Sequence, residues 1–227
     1  MIRNADKMFS PKDLRITSQG KSQALLEIEK NPGYYKWWAT KKDFKLLLSE
    51  LGGNFNEVFA DVEQKDGLYC IYVGIAVKES IQRRINWHVN DKHNAQRVKS
   101  GFLSTLRKSI SSVVAKSQSA KDKTNEFIDR LKIEVFYSNY KIKSLEAKDE
   151  LETIEKQLMK NHLYILNIRD NVHPKCTEIK KNLSKRRKDS KKAKWRRKQK
   201  RRLQTRQSIV ARTESSCLWI AGQASSL

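Results

Sequence analysis

Between Gly67 and Gly74 the chain runs Leu68, Tyr69, Cys70, Ile71, Tyr72, Val73 without a polar residue. A short continuous apolar run between glycines predicts a buried strand. Beyond Gly74 the pattern changes to a helical period. Ile81 and Ile85 share one face there, while Arg84 and His88, four residues apart, share another. Polar side chains are thereby placed beside the end of a rigid strand.

Elsewhere the same two periods alternate. The turn Asn31-Pro32-Gly33 precedes the aromatic stretch Tyr34 to Trp38, which predicts a first strand. Phe44, Leu47, Leu48 and Leu51 are spaced as a helix that Gly52-Gly53 ends. Phe102, Leu103, Leu106, Ile110, Val113 and Val114 predict an amphipathic helix, and Lys132 to Ser138 alternates as a third strand. From Ser144 to about His162 a long helix carries the stripe Leu151, Ile154, Leu158, Met159, with acidic first turns that suit the positive end of its dipole. A short helix is expected near Lys21 to Lys30, and polar connections at Asn90 to Lys99, Ser117 to Thr124 and Val172 to Thr177.

Charge changes this picture at one end. The formal net charge is +23 over 227 residues, and between Lys180 and Arg206 sixteen Lys and Arg face one acidic residue, Asp189. Little apolar periodicity interrupts that run, so it is expected to be a disordered tail over 180–227, following an N-terminal extension over 1–30 and one domain over 31–179. Such a balance favours a polyanionic partner. No apolar run reaches the ~18 residues of a spanning helix, and the N-terminus lacks the apolar core of a secretory signal, so a cytoplasmic protein is expected. Three cysteines without a C-x-x-C pair indicate neither a disulfide framework nor a zinc site.

On spacing alone Arg83 and Arg84 are a solvated helix face. The ordered set around them is more specific. Gly33-Tyr34-Tyr35, then Tyr72-Val73-Gly74, then Arg84 with His88, then Glu155 with Asn167 twelve residues on resembles the signature of the GIY-YIG nuclease superfamily, over about Asn31 to Asn171. Phrases such as PGYYKWW, IYVGIA and GFLSTLR are most similar to its restriction-endonuclease branch. The chain departs from the common pattern in one respect: thirty-six residues separate Tyr35 from Tyr72, where most members have a short hairpin.

The resemblance implies an α/β sandwich, a small three-stranded antiparallel sheet flanked by helices, that hydrolyses DNA. It implies Tyr35, Tyr72, Arg84, His88 and Asn167 as catalytic-site residues and Glu155 as the ligand of one Mg²⁺. Glu152, one turn earlier, is the alternative ligand. Arg83, Arg107, Lys185, Arg186 and Arg187 are the expected DNA contacts. These residue types suit the chemistry: a hydrated Mg²⁺ needs few carboxylates, and a guanidinium forks onto phosphate oxygens. A phenol with a pKa near 10 needs help to act as a base, and either tyrosine is a candidate. Double-strand cleavage as a type II restriction-like homodimer is the leading expectation. A homing or repair nuclease, or a non-catalytic basic nucleic-acid-binding protein, is the alternative.

Overall fold

A computed structural model describes residues 2–5, 7–169 and 171–191. Five strands form one antiparallel sheet in the order β1-β5-β2-β4-β3: β1 (Ile2–Asn4), β2 (Gly33–Thr40), β3 (Gln64–Lys65), β4 (Leu68–Ala76) and β5 (Lys132–Ser138). The three strands expected from the sequence are its centre, and the expectation of a three-stranded sheet is corrected by the two edges. Neither edge has a hydrophobic pattern to announce it. β1 is three residues long, and β3 is two exposed residues folded onto β4 by Asp66 and Gly67, both at positive φ, the turn that suits a tight hairpin.

The larger core lies on one face of the sheet. Tyr35, Trp37 and Ala39 of β2 and Ile133, Val135 and Tyr137 of β5 pack there with Phe44 and Leu47 of α2 (Lys41–Glu50). Ile81, Ile85 and Val89 of α4 (Ile81–Asn90), and Leu106 and Ile110 of α6 (Thr105–Val114), complete it. Two short helices, α1 (Gln23–Glu27) and α3 (Phe55–Val58), lie on this periphery. The insertion between the two tyrosine motifs is therefore α2, α3 and the β3 hairpin. On the opposite face Trp38, Cys70 and Val73 meet Met159 of α8 (Leu145–Asn161) and Tyr164. Two elements replace predicted polar connections, α5 (Ala95–Ser100) and α7 (Lys121–Ile128).

A bulge in β4 decides which side chains reach the site. Trp37 pairs with Tyr72 but Trp38 pairs with Cys70, leaving Ile71 as the extra residue. Ile71 and Tyr72 consequently both join the larger core, while Cys70 and Val73 join the smaller. Without that extra residue the period-two alternation would turn Tyr72 away from Tyr35.

The basic run differs from expectation. Residues 176–191 form a helix, α9, whose Cys176, Ile179 and Leu183 are buried in the larger core. It is tied to α2 by Asn182 Nδ2 donating to Leu51 O at 3.0 Å and Arg186 pairing with Glu50 at 2.9 Å, and to α6 through Ser190 and Ser112 at 2.8 Å. The expected order-free tail from 180 thus begins inside packed structure, and its part from 192 to 227 lies outside the described residues.

Candidate active site

Gly33 and Gly74, the glycines of the two motifs, are both required by close approach. A Cβ on Gly33 would sit 2.0 Å from Phe136 O of the neighbouring strand, and one on Gly74 would sit 2.5 Å from Tyr35 Oη. Tyr35 lies over Gly74, its cross-strand partner. Its hydroxyl is 2.7 Å from Nε2 of His88, and the Tyr72 ring is 6.4 Å from that of Tyr35 and 6.1 Å from that of His88. These three groups, from β2, β4 and α4, are almost entirely buried.

Burial holds both phenols above their ordinary value. For Tyr35 burial is followed by repulsion from Tyr72, and the pKa stands well above 10. Tyr72 is pushed up to about 12 by burial and then by the Glu155 carboxylate, while Arg84, a hydrogen bond from Tyr35 and the charge of Arg187 pull it down. His88 is held well below 6.5 by burial and by Arg84 and Arg107, so its imidazole is neutral. Its Nδ1 lacks a hydrogen-bond partner, as does Nε1 of Trp37, whose ring stands edge-on to it at 6.0 Å. Buried acceptors go unpaired more readily than N–H donors, which assigns the proton to Nε2. His88 then donates to Tyr35, and Tyr35 is free to donate to Tyr72.

The opposite wall is α8. Glu152, Glu155 and Lys156 line a cleft of about 580 Å³ together with Tyr35, Tyr72, Arg84, Trp87 and His88. Arg84 is partly buried, with Nε 2.9 Å from Glu79 and its guanidinium over the Trp87 ring. Asn167 lies beyond the end of α8, not on a continuing turn of it. Its amide clamps the open edge of β4, accepting from Val73 N at 3.0 Å and donating to Val73 O at 2.8 Å. It thus holds the tyrosine strand at Val73 and also lines the cleft.

Among the described residues no three His, Cys, Asp or Glu side chains gather as a metal cage. Two carboxylates on one helical face, open to a polar cleft, still fit a hard divalent ion that keeps most of its waters. Glu155, which acts electrostatically on both phenols, is the better placed of the two.

The expected DNA contacts divide. Arg83 is exposed beside Glu79 at 3.4 Å, outside the cleft. Lys185 and Arg186 line another groove, with Glu50 and Lys116. Arg187 is the member of the basic run whose charge reaches Tyr72. Arg107 contradicts the expectation of a DNA contact: it is 1 % exposed and spends its donors inside the protein. Lining residues that sequence reasoning missed are Trp87, Lys156 and Arg169; for Trp87 the signal was its position between Arg84 and His88.

Neither curated proteins nor solved structures gave a match to this chain. The model of the GIY-YIG catalytic domain matches residues 33–189, from the glycine that opens β2 into α9. That span holds every group that meets in the cleft, and the chain belongs to the GIY-YIG catalytic domain family, a family of endonucleases.

Proposed function

We propose that the chain is a Mg²⁺-dependent endonuclease that cuts double-stranded DNA in the manner of a type II restriction enzyme, in the cytoplasm and as a homodimer. One observation carries the catalytic part: a buried phenol pair backed by a neutral histidine faces a carboxylate helix across a cleft that also holds Arg84. Tyr72, the more accessible phenol, acts as its phenolate and takes the proton of the attacking water, becoming the neutral phenol. Tyr35 and His88 stabilise that phenolate before the transfer, by donating along the row His88, Tyr35, Tyr72. Arg84 donates to the non-bridging phosphate oxygens as charge grows there. Glu155 would hold the ion, which when bound supplies positive charge to the phosphate and a more acidic water. Asn167 keeps Tyr72 aimed by fixing the edge of β4 at Val73. The catalytic groups named here make one cleft per chain, among the described residues, and cutting two strands symmetrically calls for a second copy.

The test is incubation of supercoiled plasmid with the full chain, with and without Mg²⁺. Discrete linear fragments that require Mg²⁺ support the restriction reading. A smear or nicked circles alone oppose it, and intact plasmid with tight DNA binding favours a non-catalytic binding protein.

A further inference from the structure

Arg107 is a nearly fully buried arginine whose contacts all lie within the protein. Its Nε donates to the main-chain oxygen of His88 at 2.5 Å, and Nη2 donates to that of Val89. Both terminal nitrogens donate to Asn125 Oδ1 at 2.9 Å, and Nη1 also lies 3.3 Å from His93 Nδ1. Five contacts match the five N–H donors of a guanidinium. His93, 3 % exposed, receives at Nδ1 and therefore carries its proton on Nε2, which donates to Gln118 O. The Gln118 side chain in turn donates to Arg187 O of α9 at 2.7 Å. A buried chain of hydrogen bonds thus runs from the basic helix to the main chain of His88.

None of the four acceptors of those contacts is a carboxylate. Burying a cation this way is costly; the Asp91 and Asp129 carboxylates act on it from nearby, and it caps the last carbonyls of α4, the negative end of that helix. That end bears His88, and Arg84 lies one turn before it. We infer that Arg107, joined to α9 through His93 and Gln118, is a positioning residue for the reaction: it fixes the last turn of α4 so that His88 meets Tyr35. The inference rests on the nuclease reading above. A lysine keeps the charge but cannot bridge two carbonyls, an amide and an imidazole at once.

The experiment uses the full chain, with Arg107→Lys, His88→Ala and the double variant. Single-turnover plasmid cleavage is measured in Mg²⁺, and DNA binding with Ca²⁺ in its place. Arg107→Lys is expected to slow cleavage about 100-fold, the scale of a 1 Å misplacement, with Kd for DNA changed less than twofold. In the His88→Ala background it should cost less than threefold, because its effect passes through His88. Should Arg107→Lys fail to fold, His93→Leu removes one acceptor and keeps the cation, with about a tenfold loss and the same pattern expected. A rate within twofold of wild type at lowered Tm would overturn the inference, as would a loss explained by weaker binding or one equally large without His88. A wild-type chain that cuts no DNA would overturn the nuclease reading, and this inference with it.

Discussion

The two walls of the cleft are built on opposite plans. On the sheet side Tyr35, Tyr72 and His88 are fixed by strand register, by the bulge at Ile71 and by the absence of a Cβ at Gly74. On the α8 side Glu152 and Glu155 are only partly buried and Lys156 is exposed. The difference suits the chemistry proposed for each wall. Moving a proton between phenols requires fixed, dry geometry, whereas holding a divalent ion that keeps its waters requires a wet carboxylate with room around it. A site of this kind is half core and half surface, and it fails differently on each side.

On the sheet side, Tyr72→Phe should lower the single-turnover rate about 10³-fold, within the range of a lost general base. Tyr35→Phe should cost roughly tenfold less, because it only loses a donor to Tyr72. The reverse order would make Tyr35 the base. Arg84→Lys should cost about 10²-fold or more in kcat, while Arg83→Lys, exposed and outside the cleft, should leave the rate within a factor of two. Equal losses from the two arginines, measured under the same conditions, would reduce Arg84 to a general electrostatic role.

The contrast between the walls also explains what was legible in the sequence. β2, β4, β5, α2, α4, α6 and α8 follow apolar periods because each buries a face, and the site tyrosines could be placed because they sit on such elements. The bulge at Ile71 leaves no mark in an apolar run, since both faces of β4 are buried there. Arg107 looked like any cation of a basic chain, because nothing local signals that Asn125, His93 and two carbonyls converge on it. The stripe Cys176, Ile179, Leu183 at spacings of three and four was present in the sequence. The charge density that follows it outweighs it, so the sequence places a tail from 180 where the structure continues the helix to 191.

That helix supplies a prediction of intermediate size. Ile179→Ala should destabilise the fold by about 2–5 kcal/mol, as for a buried large-to-small change, measured by urea denaturation. A cost under 0.5 kcal/mol would mean that α9 is an appendage. The smallest expected effect is on pH. His88 and His93 are both held below the ordinary 6.5 by burial, so below that pH the unfolded chain takes up protons that the native state resists. Stability should be fully present above pH 6.5 and decline as the pH falls beneath it, seen as a falling Tm between pH 7 and 5.5. A Tm that rises over that range would mean these imidazoles are charged in the fold.

The proposed role of Glu155 is to hold the metal on the wet wall, opposite the tyrosine pair. Its most direct test is Glu155→Gln, which preserves volume and removes the anion, compared with Glu152→Gln in single-turnover cleavage and DNA binding. Glu155→Gln is expected to cut at background level while binding DNA as wild type does, and Glu152→Gln to keep most of the rate. Full activity in Glu155→Gln, or the opposite order of the two variants, would contradict it.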